Sequence, residues 1–175
     1  VPAANVSGPV LISYIVSDGN GGTATGRLTV NVGANTPPDS VDASVTGTED
    51  TPLVLTTAQF VFNDGDAGQQ LANVRIDTLP GQGQLLLDGV PVGEGQIVSA
   101  PDMAAGRLVF LPGPDGNGAP YASFSFSVQD SGGAFDPTPN TLSIGIAPVN
   151  DAPVANPDRL DAVEDTPLTI PAASL

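Results

Sequence analysis

The chain has 175 residues, with 16 Asp and 3 Glu against four Arg and no Lys, for a net charge of −15. A polyanion such as nucleic acid would be repelled by that charge, and no apolar run reaches the roughly 20 residues of a membrane span. Cys, His and Lys are all absent, which removes zinc-thiolate sites and most general bases and activated nucleophiles, so an enzyme is not expected.

In chain order, the first predicted elements are strands between Leu11 and Val32, where "RLTVNV" puts Leu28, Val30 and Val32 on one face. Short strands are expected at Leu53 to Thr56, Val74 to Thr78, Gln84 to Leu87, Val90 to Val92 and Arg107 to Leu111. Asp88-Gly89 joins two of them as a tight hairpin, because both turn positions must tolerate positive φ. "SAPDMAAG" predicts one helical turn, capped by Ser99, with Asp102 three residues on and Gly106 ending it. "ASFSFSV" alternates Phe124, Phe126 and Val128 with Ser123, Ser125 and Ser127, and "TLSIGI" aligns Leu142, Ile144 and Ile146. The fold expected is all-β: a Greek-key β-sandwich of about seven strands. Phe60, Phe62, Leu85, Leu87, Phe110, Phe124 and Phe126 are the expected core.

The sequence repeats itself. Glu49-Asp50-Thr51-Pro52 returns as Glu164-Asp165-Thr166-Pro167 at a period of 115 (164 − 49), and Asn35 falls on Asn150 at the same period. "SYIVSDGNGG" is echoed by "SFSVQDSGG", with Asp18 on Asp130 at a spacing of 112 (130 − 18), and a loop insertion around Phe135 to Pro139 accounts for the difference. Units of that length are domain-sized, so a tandem array is expected. Residues 1–35 form the C-terminal part of one repeat, 36–150 a complete repeat, and 151–175 the N-terminal part of the next. The two partial repeats are expected to be completed by neighbouring repeats of the same chain or by head-to-tail copies.

Carboxylates and Asn side chains gather near the repeat junctions, in "NDGD", "PDGNG", "VQDSGG", "VNDAP" and "TEDTP". Each alone is ordinary turn chemistry, but oxygen-rich loops with glycines also suit calcium, which takes six to eight oxygens in flexible geometry. Asp77 and Asp88 lie away from these motifs.

"SFSVQDSGG…TLSIGIAPVNDAPV" followed by "EDTP" resembles the end of one cadherin-type repeat and the start of the next. With "FVFNDGDAG" and "LLLDGVPVGEGQIVSAPDMAAGRLVFLP", the chain resembles the cadherin-like, bacterial Ig-like tandem repeats of giant RTX, biofilm-associated surface adhesins. RTX nonapeptide repeats themselves are absent. The resemblance implies an extracellular, bacterial cell-surface setting and a structural extender role, with Ca2+ at the inter-domain junctions stiffening a fibre. An alternative is a carbohydrate- or protein-binding adhesion module. At the first junction the resemblance assigns Asn5, Asn35, Asp64, Asp66 and Asp130. At the second it assigns Glu49, Asp115, Asn117, Asn150 and Asp151. The first linker carries Thr36 where the second has Asp151, so weaker or fewer ions are expected there, with Asp39 as a possible substitute.

Overall fold

The computed structural model describes residues 7–153, 159, 161–167 and 169. The chain is all-β in these residues apart from one short α-helix and a single 3-10 turn at Thr57–Gln59. No helix among them is long and apolar enough to cross a membrane. Among the described residues, the strands β1 (Gly8–Ser17) and β2 (Thr23–Val32) pair only with each other, as an antiparallel hairpin.

The remaining elements are β3 (Ala43–Thr48), β4 (Leu53–Val54), β5 (Leu71–Ile76), β6 (Gln84–Leu87), β7 (Val90–Pro91) and β8 (Ile97–Ser99). The helix α1 (Ala100–Ala104), β9 (Leu108–Leu111), β10 (Gly118–Asp130) and β11 (Asn140–Ala147) follow, and the 3-10 turn Thr57–Gln59 lies between β4 and β5. They form a five-stranded sheet in the order β3-β11-β10-β5-β8 and a four-stranded sheet in the order β4-β9-β6-β7. Among the described strands only the β3–β11 pairing is parallel.

One apolar cluster joins the two sheets. Val74, Phe124, Phe126, Val128, Leu142 and Ile144 come from the first, and Leu85, Leu108 and Phe110 from the second. Period-2 alternation put each of these on the inward side of its strand. Phe60 meets Phe126 edge to face, with ring centroids 5.0 Å apart. Truncating such a buried ring to Ala costs about 3–5 kcal/mol. Phe62 and Leu87 pack on the cluster but stay partly exposed, at its margin rather than at its centre. Ser99 caps α1 as expected, its Oγ accepting from Asp102 N at 3.1 Å. Asp88 and Gly89 take φ of 51° and 78°, as the tight turn requires.

Three differences from the sequence reading have local causes. β3 was not expected, because its small residues carry little strand signal. Gly47 sits so close to β11 that an added Cβ would lie 3.3 Å from Ile146 Cδ1. Ser127, on the face expected to be polar and wet, is fully buried. The inserted loop covers it: Phe135 stacks on the Arg75 guanidinium at 4.8 Å, and Arg75 and Asp77 both hydrogen-bond Ser127. Leu28 and Val30, expected to share an inward face, are 52% and 39% exposed, since none of the described residues forms a layer over the β1–β2 hairpin.

The repeat seen in the sequence has a structural counterpart. β10 and β11 pair Ala122 with Ile144, Phe124 with Leu142 and Phe126 with Asn140. At the matching positions β1 and β2 pair Val10 with Val30, Ile12 with Leu28 and Tyr14 with Gly26. Asp18 and Asp130 close their turns alike, each Oδ1 accepting from the amide four residues on, at 2.9 and 2.8 Å. Asp50 and Asp165 both adopt left-handed backbone, with φ of 59° and 56°.

Candidate metal centre

The inward positions Ala43, Val45 and Gly47 of β3 carry the alternation on to Glu49, which is 2% exposed. Its carboxylate is already occupied. Oε2 accepts from Asn117 Nδ2 at 3.0 Å and Oε1 from the Val149 amide at 2.5 Å. The Asn117 bond, followed by the Val149 amide, holds its pKa below the usual carboxylate value despite burial. Glu49 therefore ties three segments together instead of facing out as a free ligand.

The next residue turns the other way. Asp50, in left-handed backbone that Asp tolerates better than most residues, points into the same space as Asp115, which is also left-handed at φ 52°. The first residue of the following segment, Asp151, completes a triad in which one carboxylate oxygen from each residue lies within 4.8 Å of the other two. All three side chains are exposed. None of the ion pairs among the described residues involves them, as these use Asp77, Asp88, Asp102 and Asp161. Desolvation, then the charges of Asp115, Asp50 and Glu49, push the Asp151 carboxyl above its usual value. Three like charges held together with no cationic side chain form a place where a metal ion could be held. Asn150 lies beside them, but its amide donates to the Asp151 carbonyl at 3.1 Å.

The opposite arrangement holds among Asn35, Asp64, Asp66 and Asp130. Asn35 Nδ2 donates to Asp130 Oδ2 at 2.8 Å, and Gln69 Nε2 donates to Asn35 Oδ1 at 2.8 Å. Asp130 is 1% exposed, and its other oxygen accepts from the Ala134 amide. Gly132 makes room for Asn35, because a Cβ there would lie 2.3 Å from Asn35 Oδ1. Asp66 accepts from the Thr36 amide at 2.6 Å and from Thr36 Oγ1 at 3.3 Å, and its own amide donates to Asp64 Oδ1 at 2.7 Å. Thr36, read as a departure from the linker pattern, is thus the donor that fixes Asp66. Among the described residues, Asp64 Oδ2 is the one buried side-chain polar atom with no hydrogen-bond partner. Asp39 joins this end through its backbone, bridging Asn63.

The ten residues assigned from the sequence therefore fall out as follows. Asn35, Asp64, Asp66 and Asp130 form one connected cluster. Glu49, Asp115, Asn117, Asn150 and Asp151 lie together at the other, and Asn5 lies outside the described residues. Glu49 is a buried acceptor, and Asp50, left out of that assignment, takes the outward place. The strand alternation running through β3 into Glu49 is the signal that distinguishes the two neighbours.

No family model matches this chain, and neither a curated protein nor a solved structure matches it.

Proposed function

We propose that the chain is an extender segment of a bacterial extracellular adhesin or fibre, made of cadherin-like Greek-key β-sandwich repeats, with calcium held at the junction after the complete repeat. The observation that carries this reading is the Asp50, Asp115 and Asp151 triad. Its members come from the turn after β3, the loop before β10 and the segment after β11, so a shared cation would fasten the end of the unit to the residues that lead on from it. Asp50, Asp115 and Asp151 would hold the ion, with Glu49 and Asn117 bracing the two loops from behind. Calcium would neutralise the mutual repulsion, and its oxygen preference and loose coordination suit carboxylates borne on three separate loops. The role is mechanical and not catalytic.

An adhesion module that binds carbohydrate would draw support from an aromatic platform. Tyr121 instead receives the Gly113 amide at 3.1 Å and packs on Phe110. A cleft of about 300 Å³ beside Thr46, Asn117, Gly145 and Pro148 carries no aromatic ring.

The test is titration of the full chain with calcium and with magnesium, followed by small-angle scattering on a chain of two or more whole repeats. Calcium binding lost on Asp115→Asn, and a maximum dimension that shortens in chelator, are the expected results. Equal dimensions with calcium and with chelator would remove calcium as the stiffening element.

A further inference from the structure

The two hairpins of this chain share a pairing register but not an environment. In the complete unit, Phe124, Phe126, Val128, Leu142 and Ile144 are at most 2% exposed. Their counterparts Ile12, Tyr14, Val16, Leu28 and Val30 are 47%, 49%, 57%, 52% and 39% exposed. Directly opposed residues of a hairpin project to one side, so these five and Val10 form a continuous apolar face. A two-stranded sheet with such a face is marginal in water, and an exposed patch of this kind marks a surface built to be covered.

The complete unit identifies the cover. There the equivalent face lies on the β4-β9-β6-β7 sheet, while β10 and β11 are flanked by β5 and β3. A second intact copy of this chain offers no such place, because its own β10–β11 hairpin fills it, with Phe126, Val128, Leu142 and Ile144 fully buried. The occupant must carry the β3 to β9 elements and lack its own last hairpin. We propose that the β1–β2 hairpin is the closing hairpin of a second unit of the same kind, and that its Ile12/Tyr14/Val16/Leu28/Val30 face docks on a polypeptide segment equivalent to residues 36–112. This rests on the tandem-repeat reading above but not on calcium. The join is marked in the sequence: at the 112-residue spacing Pro2 matches Pro114, Asn5 matches Asn117 and Asp18 matches Asp130.

The test extends the full 175-residue chain by placing a copy of residues 36–112 directly ahead of Val1. Hydrogen exchange is then followed in chelator, so that failure of the calcium reading leaves the outcome unaffected. The amides of β1 and β2 are expected to exchange about 100-fold more slowly in the extended chain than in the 175-residue chain. Ile12→Asp should abolish that slowing. Ser13→Asp, on the other face and opposite Arg27, should preserve it. The amides of β10 and β11 supply the internal gauge of a docked hairpin. Unchanged exchange in β1 and β2 while β10 and β11 stay protected overturns the proposal. So does concentration-dependent protection in the 175-residue chain alone, which would make a second copy the occupant.

Discussion

The two acidic clusters at the ends of the two-sheet body use similar residues in opposite ways. Around Asn35, nearly every carboxylate oxygen is met by a neutral donor: Asp66 by Thr36, Asp130 by Asn35 and Ala134, Asp64 Oδ1 by the Asp66 amide. Around Asp151, the donors from Asn117 and Val149 go to the buried Glu49, while Asp50, Asp115 and Asp151 face one another. The first end is assembled by hydrogen bonds and leaves a cation little to add beyond Asp64 Oδ2. The second stores repulsion that only a cation or a proton can relieve. Residue type alone therefore does not rank two acidic clusters, and the supply of protein donors does.

The largest change should come from removing the brace of the second end. Glu49→Ala removes the two acceptors that tie the exposed Asn117 and Val149 to the end of β3 and empties the buried space its side chain fills, so the loss is of a tie and of packing. Its melting temperature should fall with or without calcium, by more than calcium itself contributes. Chemical denaturation of the variant in calcium and in chelator checks this. A loss confined to the calcium sample would mean that Glu49 is a ligand first and a brace second.

Next comes the triad. If the proposed site binds calcium with dissociation constants of about 10⁻⁴ to 10⁻³ M, millimolar calcium would add about 0.4–1.4 kcal/mol by mass action. Asp115→Asn should erase that gain. In chelator the same variant should melt higher than the parent, since one of three repelling charges is gone. This crossing of signs, read from two melting curves per protein, separates a strained cation site from an ordinary solvated acidic surface.

Protons probe the same contrast. The Asp151 carboxyl titrates above its usual value, so between that value and the folded one the folded state holds more proton than the unfolded. Stability without calcium should therefore rise as the pH falls through the folded Asp151 pKa. Glu49 has the opposite sign: its contribution is present above its unfolded pKa and is lost as the pH falls through its lowered folded value. The calcium-free profile should climb slightly on acidification and then drop, and Asp151→Asn should remove the climb while leaving the drop. A monotonic fall in the parent protein would contradict the repulsion assigned to the triad.

What the sequence made legible follows physical range. Local chemistry was readable: the Asp88-Gly89 turn, the Ser99 cap, the alternation of Phe124 and Phe126, and the gathering of Asp115, Asn150 and Asp151 in motifs that meet at one end. Contacts set by distant segments were not. β3 is held by a parallel partner nearly a hundred residues away, and its small side chains fit that partner without advertising a strand. Glu49 and Asp50 look equally suitable as ligands until the phase of β3 is known. Asp77, distant from the junction motifs and so apparently neutral, is paired with Arg75 and bonded to Ser127 under the inserted loop. It is unsuitable as a control for calcium binding.

Asp88 serves that purpose and bounds the smallest effects. Its side chain is 64% exposed and pairs with Arg107 only at 3.7 Å. Asn is as tolerant as Asp of the left-handed backbone at φ 51°, so Asp88→Asn should change stability by no more than about 0.5 kcal/mol and leave the calcium response intact. Against this baseline, Asp64→Asn combined with Asp66→Asn measures the donor-rich end. Each Asn keeps a carbonyl oxygen, so the bonds from the backbone amides of residues 36 and 66 can persist. The double variant should fold, and its calcium response should fall less than that of Asp115→Asn, because the cation was relieving less repulsion there. Calorimetric titration of the three variants gives the ranking directly. If the Asp64/Asp66 pair removes more bound calcium than Asp115→Asn does, then the unpartnered Asp64 oxygen outweighs the open triad, and the stronger site lies at the end where hydrogen bonds seemed to leave no room for one.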